Sequence, residues 1–265
     1  MSVQTTDKRI NILGYGIMGK QIAALFYLGG FEVNIWSYHS VDEAELKRYV
    51  RLISRQVLPG AEGKLNYFTD LGKLDDLVTI EAVVENIDIK KELYRTVRRT
   101  NKSAYFTNTS SFSPQEIGEG VSLLHFFNPI TMGLVEAWYA DASVQERAEQ
   151  VLTFLTSINF TVVPVGDNRG SIANYLLFRE IASVLKLMET DAYSVKSIEE
   201  VYQKLYPQRN IFTIIDMVGI DVTQQIILNL HEKDGTVYRP LCLRRALEQN
   251  ILGKKNNTSI KQVLS

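Results

Sequence analysis

The sequence predicts an α/β fold, a doubly wound and mostly parallel sheet, followed by an all-helical C-terminal domain. Three observations predict it. Short apolar runs at 9–13, 31–36, 80–85, 104–108, 121–127 and 160–165 alternate with helical patterns at 17–29, 40–57, 89–99 and 143–156. Strands that alternate with helices build parallel sheets. Three glycines, Gly14, Gly16 and Gly19, lie directly between the first strand and the first helix. After Asp167-Asn168-Arg169-Gly170 the period changes: Ile172, Leu176, Leu177, Ile181, Val184, Leu185 and Leu187 recur at helical spacing, and strand signals become scarce. The domains expected are therefore 1–167 and 168–265, with the polar tail 254–265 expected to fray.

Composition narrows the function. The 265 residues carry 29 Lys+Arg and 30 Asp+Glu, a formal net charge of -1. That balance gives no general attraction to nucleic acid or anionic membrane, so neither is an expected partner. A single cysteine, Cys242, cannot form an internal disulfide, and with three histidines it leaves little for a metal site, so no metal is expected. The start MSVQTTDKRINILG lacks a basic segment followed by a long apolar stretch, and no apolar run reaches about 18 residues. The expected location is the cytoplasm.

Gly14-Tyr15-Gly16-Ile17-Met18-Gly19 matches G-x-G-x-x-G inside a β-α-β unit. The first glycine permits a tight turn, the second admits a pyrophosphate to the backbone, and the third lets helix and strand pack closely. The helix N-terminus adds partial positive charge. This context makes the first domain Rossmann-like and assigns Gly14, Gly16, Ile17, Met18 and Gly19 to a dinucleotide. An acidic residue at the end of the second strand would read the ribose hydroxyls of NAD. Here Trp36 is followed by Ser37, with no acid until Asp42 and no Arg close by. NAD is the expected cofactor, and NADP stays open.

Further stretches, in order, are Glu81-Ala82-Val83-Val84-Glu85-Asn86 with Lys90; Asn108-Thr109-Ser110-Ser111; His125-Phe126-Phe127-Asn128-Pro129 with Leu134-Val135-Glu136; and Gly170-Ser171-Ile172-Ala173-Asn174. Tyr206-Pro207, Asp216-Met217-Val218-Gly219-Ile220-Asp221 and Gly253-Lys254-Lys255 follow them. Over nearly the whole chain this order resembles the 3-hydroxyacyl-CoA dehydrogenase family. The resemblance implies reversible hydride transfer between a nicotinamide cofactor and a 3-hydroxyacyl thioester in fatty acid metabolism. It implies that the substrate lies between the two domains and that the helical domain forms a homodimer. By the same resemblance His125 is the general acid/base and Glu136 orients it. Imidazole titrates in the range such a role requires. Ser110 and Asn174 are similar to residues that hold the reacting oxygen. Glu85, Lys90, Ser110 and Asn128 fall where the family contacts the nicotinamide half, and Lys255 where its C-terminal segment reaches the cofactor.

Each residue also has a structural explanation. A lone strand histidine is often a hydrogen-bonded core residue, Glu85 and Lys90 can form a surface pair, as can Lys91 and Glu92, and the Asn108–Ser111 stretch can cap the helix near Pro114. Asn174 can satisfy backbone at its helix start, and Cys242 reads as a small core residue. Phe126 and Phe127 read as packing, and His39 and His231 as surface residues. Several features depart from the family, among them Ser171 after Gly170, Tyr175 after Asn174, and the absence of a Gly-rich, aromatic ending after Gly253-Lys254-Lys255. The His125–Glu136 interval is one residue shorter than usual, and only 44 positions separate Ser37 from Glu81, where CoA-specific members insert a longer helical hairpin. Lys47, Arg48, Arg51 and Arg55 in that stretch could meet a phosphate or form a solvated face. The acyl group is therefore expected on CoA or on an acyl carrier protein. A dehydrogenase of a free hydroxy acid or sugar acid, or a non-catalytic dinucleotide-binding scaffold or sensor, is the alternative.

Overall fold

Strands and helices alternate through the first unit of the computed structural model, which describes residues 8–55, 62–99, 102–191 and 193–264. Their order is β1 (Arg9–Leu13), α1 (Ile17–Leu28), β2 (Glu32–Trp36), α2 (Glu43–Ser54), β3 (Lys64–Phe68), β4 (Val78–Glu81), α3 (Ile87–Val97), β5 (Ala104–Thr107), α4 (Pro114–Ile117), β6 (Ser122–Phe126), β7 (Leu134–Trp138), α5 (Ala142–Arg147), α6 (Glu149–Ser157) and β8 (Thr161–Pro164). The strands form one eight-stranded sheet in the order β3-β2-β1-β4-β5-β6-β7-β8. β6 and β7 run antiparallel, and the other neighbouring pairs among the described residues are parallel. Strand order reverses between β1 and β4. In open α/β sheets the crevice at the carboxyl ends of such strands is where ligands bind.

β1, β2 and β6 are almost entirely buried, as strands covered on both faces must be, and most of their residues are apolar. α1 buries Ile22, Ala23, Leu25 and Phe26 completely, in one core with Ile10, Ile12, Val33 and Ile35. An asparagine ladder crosses the sheet beneath. Asn66 donates to Asn34 at 2.9 Å, Asn34 to Asn11 at 3.1 Å, and Asn11 to Thr79 Oγ1 at 3.0 Å. Each buried amide has a partner only in this register, so the ladder pins β3.

The chain divides into Met1–Arg169 and Gly170–Ser265, two residues later than the expected boundary. The physical reason is local: Asp167 Oδ1 accepts from Ser113 Oγ at 2.6 Å and from Gln115 N–H at 3.3 Å, and Arg169 pairs with Glu116. Those residues are fastened to the start of α4. The second unit comprises α7 (Ile172–Thr190), α8 (Val195–Leu205), α9 (Ile211–Val218), α10 (Ile220–Lys233) and α11 (Leu241–Glu248). Its core includes Ile181, Leu185, Ile211, Phe212, Ile215 and Cys242.

Several expectations need correction. The strand expected over 80–85 stops at Glu81, because the Glu81 carboxylate takes the Val83 N–H at 2.7 Å and turns the chain. The helix expected over 143–156 is two helices meeting at Ala148. The strands β3 and β7 were not anticipated. The described part of the tail, to residue 264, is fastened to the helical unit: Asp216 accepts Ser259 Oγ at 2.6 Å and Ile260 N–H at 2.7 Å, and Ile260 is fully buried. His231 is not a free surface residue, since its Nδ1 lies 2.7 Å from the Val237 carbonyl. Glu92 pairs with Arg95, one turn on, where Lys91 was expected. Among the described residues no single helix is long and apolar enough to cross a membrane.

Candidate active site

The pairing of His125 with Glu136 is set by strand register. β6 and β7 run antiparallel with His125 directly opposite Glu136, and directly opposed side chains stand close together on one face. His125 Nδ1 lies 3.2 Å from Glu136 Oε2, and the two side chains are 7% and 3% exposed. In the tautomer with its proton on Nδ1, His125 donates to the carboxylate, and Nε2 is the ring nitrogen outside the contact. The Phe127 ring packs edge-on at 4.7 Å against the imidazole. The shortened interval between the two residues is absorbed by a turn that includes a 3₁₀ segment, Ile130–Met132, and Gly133 in the left-handed region. The pairing is intact.

That turn is held from α1. Gln21 donates to Asn128 Oδ1 at 3.0 Å and accepts from Ile130 N–H at 2.8 Å. Gln21 is buried, and sequence reading missed it, as nothing marks a glutamine one turn past a glycine motif. Asn108 performs the matching task from β5: its Oδ1 accepts Phe126 N–H at 2.8 Å, next to His125. Asn128 itself is exposed.

Glu85, Lys90 and Ser110 are brought together, in an arrangement the sequence did not show. Lys90 is 1% exposed, with its ammonium 2.7 Å from Glu81 Oε1 and 3.2 Å from Glu85 Oε2. Glu81, fully buried, also accepts from Thr107 Oγ1 at 2.7 Å. Glu85 Oε1 accepts from Thr109 Oγ1 at 2.5 Å and from the backbone N–H groups of Ser110 and Ser111 at 3.1 Å each. Burial alone would raise the Glu85 carboxyl and lower the Lys90 ammonium. Their mutual attraction and hydrogen bonds win, so Glu85 sits below the usual carboxylate range and Lys90 above the usual lysine range. The pair is thus not a surface ion pair. Through Glu85 it anchors the loop that carries Ser110. The Asn108–Ser111 stretch does not cap α4, whose N-cap is Ser113.

The glycine loop fits a dinucleotide. Gly14, at φ +113, is where a Cβ would meet the Ala82 carbonyl at 2.6 Å, and at Gly19 one would lie 2.1 Å from the Gly14 carbonyl. Packing therefore requires both glycines. A Cβ at Gly16 would meet nothing closer than 3.9 Å, so packing does not explain that glycine, whereas a pyrophosphate lying on the backbone would. The α1 N-terminus, where Ile17 and Met18 stand, has no side-chain cap and no acidic residue in its first turn among the described residues. Its N–H groups are left for an anion. Ser37 follows β2 and is buried, with its hydroxyl accepting from His39 N–H at 3.3 Å.

Asn174 and Lys255 belong to the helical unit. Asn174 lies in the first turn of α7, its N–H bonded to Ser171 Oγ at 2.9 Å. Lys255 pairs with Asp221 at 2.7 Å. Although burial opposes it, Lys255 keeps the Asp221 carboxyl below its usual range.

A parallel sheet with a glycine loop at its switch point, an uncapped helix start and a carboxylate-held histidine define a nicotinamide-dependent oxidoreductase. Comparison with known proteins specifies which. Residues 9–168 match the family model for the 3-hydroxyacyl-CoA dehydrogenase NAD binding domain, and residues 170–262 match that for the 3-hydroxyacyl-CoA dehydrogenase C-terminal domain. The chain belongs to the 3-hydroxyacyl-CoA dehydrogenase family. It is 29% identical to a 3-hydroxybutyryl-CoA dehydrogenase of Mycobacterium tuberculosis, over 94% of this chain and 96% of that one. It is 27% identical to the human mitochondrial hydroxyacyl-coenzyme A dehydrogenase, over 94% and 88%. The crystal structure of M. tuberculosis FadB2 superposes with a TM-score of 0.83 at 26% identity, covering 96% of this chain and 98% of that one.

Proposed function

We propose that this chain interconverts 3-hydroxyacyl and 3-ketoacyl thioesters, with His125 as general acid/base and Glu136 as the residue that orients it. The observation that carries this reading is the buried Nδ1–carboxylate contact at 3.2 Å, set by strand register on the sheet that holds the glycine loop. When bound, a nicotinamide dinucleotide supplies the hydride acceptor, or the donor in the reverse direction. Gly14, Gly16, Ile17, Met18 and Gly19 would hold its pyrophosphate, Ser37 its adenine ribose, and Glu85, Ser110 and Asn128 its nicotinamide half.

In the oxidative direction His125 Nε2 accepts the 3-hydroxyl proton as the carbon loses hydride. The resulting imidazolium is stabilised by the Glu136 carboxylate, which is already in place 3.2 Å away, so little reorganisation is needed during the step. In reduction His125 returns the proton to the developing alkoxide. Ser110, on the loop fastened by Glu85, would hold the reacting oxygen. The buried, hydrogen-bonded pair favours an enzyme over a scaffold that only binds dinucleotide.

Carriage of the acyl group on CoA is supported by the named relatives. A carrier protein's phosphopantetheine is a second reading, favoured by one observation: only 44 positions separate Ser37 from Glu81, and in that stretch the exposed Lys47, Arg48, Arg51 and Arg55 could meet its phosphate. Steady-state reduction of acetoacetyl-CoA and acetoacetyl-pantetheine tests both. Comparable kcat/KM values support the carrier reading, a strong preference for CoA removes it, and no turnover of either by a cofactor-binding protein refutes the thioester assignment.

A further inference from the structure

The turn after β2 places an unusual group where the adenine ribose is read. The Trp36 carbonyl accepts Gly14 N–H at 2.9 Å, which holds the end of β2 beside the glycine loop. Ser37 N–H donates to the Phe68 carbonyl at 3.0 Å, and the Ser37 hydroxyl accepts from His39 N–H at 3.3 Å. The side chain is therefore fixed in the turn. The neighbouring Tyr38 is 82% exposed. The carboxylates that flank the turn are engaged elsewhere: Asp42 Oδ1 takes Ala44 N–H at 2.9 Å as the α2 cap, and Asp70 Oδ1 takes Gly72 N–H at 2.9 Å.

A carboxylate at this position only accepts hydrogen bonds. It selects the two ribose hydroxyls of NAD and repels a 2′-phosphate. A serine hydroxyl that has accepted one hydrogen bond still has a proton to donate and a lone pair to offer. It can serve a ribose hydroxyl or a phosphate oxygen. Residues 37–41 contain no carboxylate, and no Arg or Lys either, so the turn neither repels nor specifically clamps the phosphate.

We propose that Ser37 makes this chain a dual-cofactor protein, binding NADP(H) about as well as NAD(H). The proposal rests on the dinucleotide site assigned above. It predicts that Ser37→Asp converts the protein to an NAD(H)-selective one, because a charged acceptor to the ribose hydroxyls is worth about tenfold to a hundredfold in binding.

The test is the dissociation constants of NADH and NADPH for the full chain, read from quenching of tryptophan fluorescence; Trp36 directly precedes Ser37. The expected result is wild-type constants within about fivefold of each other, and a ratio shifted at least about tenfold toward NADH in Ser37→Asp. Ser37→Ala, which adds no charge, is expected to weaken both cofactors alike and keep the ratio. A wild-type preference for NADH of about thirtyfold or more overturns the proposal, as does an unchanged ratio in a folded Ser37→Asp protein. Failure of both dinucleotides to bind overturns the site itself, and the proposal with it.

Discussion

Replacing Lys90 by Met should unfold the first unit at a much lower temperature. The ammonium lies between two carboxylates, 2.7 Å from Glu81 and 3.2 Å from Glu85, at 1% side-chain exposure. Methionine matches its length but leaves the fully buried Glu81 charge without a cation. Removing one partner of a buried ion pair costs about 3–5 kcal/mol. For a unit of this size each kcal/mol moves the midpoint by about 2–4 °C, so the expected loss is about 6–20 °C. Both tryptophans, Trp36 and Trp138, lie in this unit, so a fluorescence melt reads its unfolding without the helical unit contributing. Combining Lys90→Met with Glu81→Gln should cost less than the sum of the single changes, because the amide leaves no buried charge to compensate. The sign with pH follows from the shifts. Lys90 is raised, so its contribution is complete below the ordinary lysine range and lost as pH rises through its folded value. Glu85 is lowered, so its contribution is complete above the ordinary carboxylate range and lost as pH falls through its folded value. The wild-type advantage should therefore hold across neutral pH and shrink at both extremes. A Lys90→Met midpoint within 2 °C of wild type, with 2 °C taken as roughly half a kcal/mol, would refute the reasoning.

Other substitutions separate packing from ligand roles. Gly16→Val should fold within about 1 kcal/mol of wild type yet lose dinucleotide binding, whereas Gly19→Ala should destabilise the unit by several kcal/mol, since its Cβ would lie 2.1 Å from a carbonyl oxygen; melts and cofactor titrations of both decide it. Glu136→Gln should lower kcat about a hundredfold with little change in KM, and a loss below threefold in steady-state assays would mean that the carboxylate is merely structural. Gln21→Ala leaves the buried Ile130 N–H without its partner and should cost about 1–3 kcal/mol in a denaturant melt.

The fold was legible because helical and strand periods change cleanly along the chain, and the glycine loop is short-range information. β3 was not legible: Lys64-Leu65-Asn66-Tyr67-Phe68 is a short, only partly buried strand at the edge of the sheet, and its middle Asn66 is explained by the Asn66–Asn34–Asn11 ladder. β7 was hidden for a different reason. Leu134-Val135-Glu136 could be matched as a motif, but the antiparallel pairing that makes Glu136 useful depends on a partner strand and a turn, and neither is encoded in the five residues themselves. The individual members of the Glu81–Lys90–Glu85 cluster stood out, but the burial of Glu81 and Lys90 could not be read from the sequence. Glu85 and Lys90, five residues apart, read as a possible surface pair. What buries Glu81 and Lys90 is β5 alongside β4, with Thr107 bonded to Glu81, while Glu85 stays partly exposed with the backbone of the Ser110 loop bonded to it.

The most direct test of the central claim, that His125 moves the proton coupled to hydride transfer, is a single-turnover experiment. Reduced cofactor bound to excess protein is mixed with acetoacetyl-CoA, and loss of its absorbance is followed in wild type and His125→Ala. The account predicts a rate lower by about 10²- to 10⁴-fold in the variant, with the cofactor dissociation constant unchanged within about twofold, the scale of measurement error beside a tenfold step of 1.4 kcal/mol. A variant that transfers hydride within tenfold of the wild-type rate would contradict it.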